Sequence, residues 1–278
     1  MLKIFVDSGS SIKQSEKEAE GVEILPLKLT IGDKEYDDGI DLDMEDFYRF
    51  LINDKLFPRT SLPSLGETEE RVNTCLANGD KVVIVTISSG ISGTFNALRT
   101  LFENRSDVLV IDSKTAVGGV RILVREIRKL ADQPLSVIEE HIKALIPRVR
   151  VVAVPDTLEY LHRGGRLSRS AWMIGSALQL KPLIDLDTRT DGSVTVVGKV
   201  LGKKRAIKAI ADWLTTQKCD PSYPIIPSYT YDKSNLDALI SQTNEKYKAQ
   251  MTEYDELDPV ISCHWGPSAF GYIFVAGE

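Results

Sequence analysis

Residues 81–102 read KVVIVTISSGISGTFNALRTLF. The run Lys81 to Ile87 is apolar and β-branched with no polar alternation, the pattern of a strand covered on both faces. It stops at Ser88-Ser89-Gly90-Ile91-Ser92-Gly93-Thr94, and a helical pattern continues from Thr94 to Asn104. A strand that feeds a helix through a turn of glycines and hydroxyls is the repeating unit of a parallel α/β sheet. Such a junction presents free backbone N–H groups and the positive end of the helix macrodipole, while glycines let a ligand approach the backbone and hydroxyls add donors. The stretch therefore reads as an anion site, or equally as a helix N-cap in which the same residues only serve the turn.

The rhythm of this segment extends through the first half of the chain. Leu2 to Asp7, Val108 to Ile111 and Arg150 to Val154 read as further strands of the same sheet, with helices over Met44 to Asn53, Glu67 to Asn78, Ile122 to Leu130 and Ser136 to Ile146. Leu27 to Tyr36 alternates about Gly32-Asp33 and reads as a hairpin. After about residue 155 the pattern changes to a glycine-containing helix pair. Pro182 to Asp187 and Ser193 to Val200 then read as antiparallel strands joined by the turn Thr190-Asp191-Gly192. Helices near 203–217 and 234–248 and strands near 224–230, 251–255 and 271–276 complete this half. The expected architecture is a three-layer α/β/α domain with a parallel sheet over residues 1–155, and a two-layer α+β domain over residues 156–278.

Several polar loops follow these strands. Asp7-Ser8-Gly9-Ser10, Ser88 to Thr94 and Asp112-Ser113-Lys114-Thr115 are expected to gather at the carboxyl edge of the sheet, where open α/β sheets bind ligands. Thr60-Ser61-Leu62-Pro63-Ser64 is another hydroxyl cluster, placed in a loop, and Ser64 with Glu67 matches a capping box. His264 lies beside Trp265 and near Phe270, which suggests partial burial, and a lone histidine there is either a satisfied core residue or a catalytic base.

Composition narrows the function. With 278 residues, 42% hydrophobic, the chain can bury a large core. Forty acidic against 34 basic residues leave a net charge of −6, which repels a phosphate backbone, so nucleic acid is not an expected partner. Cys75, Cys219 and Cys263 are isolated, and His141, His162 and His264 are scattered, so neither a disulfide framework nor a metal centre is indicated. Gly202-Lys203-Lys204-Arg205 is not a phosphate-binding loop, because residue 197 is Val and residue 204 is Lys where that motif requires Gly and Ser or Thr. The opening MLKIFVDSGS is too short in apolar residues for a signal peptide, and no run approaches the roughly 20 apolar residues of a membrane span. No integral membrane segment and a cytoplasmic location are expected.

TSLPS at 60–64, SSGISGT at 88–94, LEYLHRGGRLS at 158–168, LKPLIDLD at 180–187 with GKVLGKKRA at 198–206, and CHWGPSAFG at 263–271 resemble, in order and across essentially the whole chain, the DegV family of fatty-acid-binding proteins. The resemblance implies two domains with one long-chain fatty acid between them and no further cofactor. It also implies delivery of the acyl group to a separate fatty acid kinase subunit, which forms acyl phosphate. By motif, Thr60 and Ser92 would hold the carboxylate, Ser61, Gly93 and Thr94 would lie near the same oxygens, and His264 would complete the pocket. Arg166 would be a pocket-rim or kinase-facing residue. The chain departs from the family pattern at Leu201, where an Arg is frequent, and at Ser268, where Gly is usual. Ala171 to Leu180, AWMIGSALQL, is a candidate tunnel wall or an ordinary core helix. Two other readings stay open: a serine acyl hydrolase using Ser92 and His264, although Thr94 stands where the nucleophile elbow has Gly, and a lipid-responsive interaction protein without a kinase.

Overall fold

The computed structural model describes residues 1–167, 180–186 and 188–277. Its long apolar runs form strands, and the two-residue period of a strand divides each run between two cores. β1 (Leu2–Asp7), β2 (Glu23–Leu25), β6 (Lys81–Thr86) and β7 (Val108–Asp112) make a parallel sheet of order β2-β1-β6-β7. On one face Phe5, Val82 and Ile84 pack with Val72 of α3 (Leu65–Ala77) and Leu98 of α4 (Thr94–Leu101). On the other, Ile4, Val6, Val83 and Val85 pack with Val120, Leu123 and Ile127 of α5 (Gly118–Lys129). This is the three-layer arrangement expected of the first half.

The second sheet has the order β10-β9-β8-β13-β11-β12, from β8 (Val149–Val154), β9 (Leu180–Leu186), β10 (Thr195–Leu201), β11 (Ile226–Tyr229), β12 (Asp255–Glu256) and β13 (Phe270–Val275). Its pairs are antiparallel except β11 with β12. Val152, Val154, Tyr272 and Phe274 pack beneath α8 (Lys203–Gln217) and α9 (Ser234–Gln242). Val151, Ile184, Leu186, Ile226 and Ile273 face the other way and join the core that contains Ile4, Val6 and α5. One core thus spans both sheets.

Four expectations need correction. Arg150 to Val154 lies in the second sheet, hydrogen-bonded to β13 and β9, and not in the parallel sheet. A strand buried on both faces reads alike in either setting, so its apolar run does not specify its partners. Thr60 and Ser61 lie on a strand, β5 (Arg59–Ser61), and not in a loop: β5 pairs with β3 (Lys28–Ile31), which forms the expected hairpin with β4 (Lys34–Asp37) across Gly32 at φ 61°. The helix expected over 234–248 breaks at Thr243, whose extended backbone precedes Asn244, the side-chain cap of α10 (Glu245–Lys248). The one expected over 44–53 is α2 (Met44–Tyr48) followed by a π-helical turn over Arg49–Asn53. Among the described residues the remaining α-helices are α1 (Lys17–Glu20), α6 (Leu135–Leu145), α7 (Glu159–Arg163) and α11 (Pro259–Trp265). Among the described residues no helix is long and apolar enough to cross a membrane. Residues 171–179, most of the candidate tunnel wall, lie outside the described residues.

Candidate functional site

The loop that ends β6 is built by its own hydroxyls. Ser88 N donates to Thr115 O at 2.8 Å, Ser92 N returns to Ser88 O at 3.0 Å, and Ser92 Oγ accepts from Thr94 N at 3.2 Å. Ser92 Oγ and Thr94 Oγ1 are 2.8 Å apart. Beneath the loop, the buried Asp7 at the end of β1 accepts from Ile87 N at 2.9 Å, and burial pushes its carboxyl up to about 7. The turn between β9 and β10 closes over the same loop, since Ser88 Oγ donates to Gly192 O at 2.7 Å and Lys114 Nζ lies 2.8 Å from Asp191. A Cβ on Gly90 would fall 2.5 Å from the Gly192 backbone, so this contact needs glycine for space.

A cavity of about 230 Å³ opens beside this loop. Its lining includes the polar residues Thr60, Ser61, Ser92, Arg166 and His264 with Gly93, and the apolar residues Ile87, Ile91, Leu186, Val194, Ile261 and Trp265. Thr94 is fully buried behind Ser92 and is not part of the lining. An apolar crevice of about 30 Å³ shares Leu186 and Trp265 with the cavity and continues past Ala116, Val117 and Gly271.

His264 arrives on α11, a helix that the sequence reading missed although its limits are marked. Asp258 stands at the N-cap, Pro259 at the first turn, and Gly266, at φ 76°, ends it. His264 Nε2 lies 3.0 Å from Thr60 Oγ1, which ties α11 to β5. Its Nδ1 is buried and has no partner, and a Cβ on Gly164 would come within 2.1 Å of it. Burial, reinforced by the Arg166 charge, pulls the imidazole down to about 3, so it is neutral at pH 7. Arg166 follows α7 and donates through Nε to Ile91 O at 3.0 Å and through Nη1 to Gly164 O, so the guanidinium is tethered at the cavity wall. Among the described residues the polar lining of the cavity therefore comprises hydroxyls, an uncharged ring and one tethered guanidinium.

A nucleophile–base pair is not assembled here. The Ser92 hydroxyl is engaged with Thr94 and the His264 ring with Thr60. An imidazole with so low a proton affinity is a poor general base at neutral pH. No group of three or more His, Cys, Asp or Glu side chains among the described residues is arranged to hold a metal ion. Of the other histidines, His162 is in the last turn of α7, and His141 on α6 lies 3.5 Å from Glu126.

The carboxyl-edge loop of the parallel sheet and residues of the second, mostly antiparallel sheet thus line one cavity. The family model described as an uncharacterised protein of the DegV family matches residues 1–277, and the chain belongs to the DegV family. A DegV domain-containing protein of Caldanaerobacter subterraneus subsp. tengcongensis is 31% identical over 279 residues, 98% of each chain. The fold is also that of the fatty-acid-binding DegV family protein of Streptococcus agalactiae, at TM-score 0.90 and 25% identity over 100% of this chain and 99% of that one. A DegV family protein of Thermus thermophilus, described by its fatty acid binding, aligns at TM-score 0.83 and 26% identity over 99% of both chains. A stearic-acid-binding protein of Eubacterium ventriosum aligns at 0.84 and 25%, over 99% of this chain and 98% of that one.

Proposed function

We propose that this protein is a non-enzymatic carrier that binds one long-chain fatty acid between its two halves, expected to divide near residue 155 but parted before β8, which belongs to the second sheet. The carboxylate lies against Thr60, Ser61, Ser92, Gly93 and His264, with Thr94 supporting Ser92 from behind and Arg166 supplying the positive charge. The tail runs along Ile87, Leu186, Val194 and Trp265 toward the crevice at Ala116 and Val117. The observation that carries this reading is a cavity lined by hydroxyls and a guanidinium together with apolar side chains, two of which, Leu186 and Trp265, also line the apolar crevice. The fatty acid binding described for the relatives from Streptococcus, Thermus and Eubacterium supports it.

The two sides of the cavity divide the work. Burying about fourteen methylenes at roughly 0.8 kcal/mol each gives an upper bound near 11 kcal/mol before the costs of association, so the tail supplies most of the affinity. Hydrogen bonds to a charged group contribute about 1.5–3 kcal/mol each, and a buried carboxylate without them costs more, so the hydroxyls select an acid over a neutral lipid. A neutral His264 adds no charge of its own and leaves Arg166 as the counter-ion.

Native mass spectrometry of the protein from a bacterial host, followed by extraction, should release a stoichiometric long-chain fatty acid. Ser92→Ala and Thr60→Ala should each weaken its binding by about 1.5–3 kcal/mol while leaving the fold intact; retention of full affinity would remove these hydroxyls from the site. We further read the carrier as cytoplasmic and as presenting its acyl group to a fatty acid kinase subunit. The exposed run Lys203-Lys204-Arg205 at the start of α8, beside exposed Leu201, is the candidate docking strip. A pull-down with such a subunit tests that partnership, and failure would favour a lipid-responsive interaction protein.

A further inference from the structure

α11 also borders a second, separate cleft. This cleft has a volume of about 470 Å³, within the usual range for small-molecule sites, and is lined by Ser8, Lys13, Asp38, Ile40, Met44 and Asp258 among others. Asp38 is fully buried, and its Oδ1 accepts from Val260 N at 3.1 Å. Its Oδ2 is buried and completes no hydrogen bond, although the Ser8 hydroxyl lies close enough to be felt. Asp258, only 8% exposed, occupies the N-cap of α11 but its side chain makes no capping bond. Two carboxylates thus meet in one cleft with unused acceptor capacity.

We propose that this cleft binds a small organic cation, a guanidinium or primary ammonium on an apolar stem, between Asp38 and Asp258. Of the cations nearby, Arg121 pairs with Glu16, Glu253 and Asp255, and Lys13, itself on the cleft lining, lies 3.9 Å from Glu256 and is the resident charge an added cation must share the carboxyls with. The mouth adds acceptors and apolar surface, with Asp41 and Asp43 on the lining and Ile40 59% exposed. A coordinated metal would need a convergent ligand set that the described residues do not provide, whereas an organic cation needs acceptor oxygens and an apolar wall for its stem. Burial raises the proton affinity of both carboxyls; at Asp38 the bonds from Ser8 and Val260 oppose it and Asp7 adds to it, and at Asp258 Asp38 and Glu16 add to it while Lys13 and Arg121 oppose it. A bound cation takes the place of those protons, so binding releases protons to the buffer.

Calorimetric titration at pH 8 with agmatine, which carries both a guanidinium and an ammonium on a four-carbon stem, tests the assignment without reference to the lipid site. Saturable binding is expected, with proton release read from two buffers of different ionisation enthalpy. Asp258→Asn should weaken it about tenfold or more, and Ile40→Lys, an exposed change that brings an ammonium to the mouth, should weaken it as well. A glycine-flanked arginine peptide distinguishes the source: tighter binding of the peptide marks a partner's side chain, tighter binding of agmatine a free metabolite, and either supports the cation site. No saturable binding, binding unchanged in both variants, or a response to calcium or magnesium alone would overturn it.

Discussion

At its Trp265 end α11 borders a cavity whose polar groups are hydroxyls, an uncharged imidazole and one guanidinium, whereas at its Asp258 end it borders a cleft where two buried carboxyls meet. Burial acts on the titratable groups at both ends in the same direction, toward neutrality: His264 gives up its proton, and Asp38 and Asp258 hold theirs. The preference for one sign of ligand then rests on the rest of each lining. Among the described residues the cavity offers the Arg166 guanidinium and the hydroxyls of Thr60 and Ser92, whereas the cleft offers the carboxyls of Asp38, Asp41, Asp43 and Asp258 with Lys13 as the cation on its lining.

The largest effect comes from removing Arg166, the one charged side chain among the described residues that line the cavity. Arg166→Ala should weaken fatty acid binding by about 2–5 kcal/mol, because the carboxylate would be buried without a counter-ion. Arg166 also holds Ile91 O and Gly164 O, so the melting temperature must be followed alongside affinity. Arg166→Lys restores charge but not the planar tether, and should recover only part of the loss. Equal binding in the wild type and Arg166→Ala would mean that the hydroxyls alone hold the anion.

His264 sharpens the contrast through pH. Its folded proton affinity, down to about 3, is below the ordinary 6.5, so the unfolded chain takes up a proton that the folded one refuses. Stability is therefore fully present above pH 6.5 and declines as pH falls toward 3. Relative to His264→Asn, the ligand-free wild type should lose up to about 1.4 kcal/mol per pH unit across that window. Denaturant midpoints for both proteins at pH 7, 6 and 5 measure the slope, and parallel curves would show that the ring is not held neutral.

Legibility in the sequence followed the range of the interaction. The Ser88 to Thr94 loop declares itself because its glycines, hydroxyls, strand and helix are contiguous, and the structure puts its hydroxyls on one another and on their own backbone. The α/β/α layering was equally legible, since the period of β1 and β6 alone divides Phe5, Val82 and Ile84 from Ile4, Val6, Val83 and Val85. The meeting of Thr60 with His264 is different: 60–64 reads locally as a capping segment, and only the pairing of β5 with β3 and the placement of α11 bring the two together. Family motifs pointed to those residues where local chemistry did not. β8 failed for the related reason that an apolar run names its faces but not its neighbours. The acidic cleft left no local trace either, because Asp38 and Asp258 come from distant segments and each looks like an ordinary turn or cap residue.

That cleft supplies the smallest effect. A carboxyl whose proton affinity is raised by folding contributes stability fully present below its ordinary value of 3.8 and lost as pH rises through the folded value. Asp258 is raised by burial and by Asp38, with Lys13 and Arg121 only partly compensating. At pH 8 the wild type must either ionise it inside the cleft or keep a proton at unfavourable pH. Asp258→Asn removes that choice while keeping the shape, and should gain on the order of 1 kcal/mol at pH 8 and nothing at pH 3. Because no capping bond is lost with the carboxylate, little should offset the gain. Thermal unfolding of both proteins at the two pH values decides it. If the variant is instead less stable at pH 8, Asp258 has a stabilising cationic partner in solution, and its buried charge is already compensated without any added ligand.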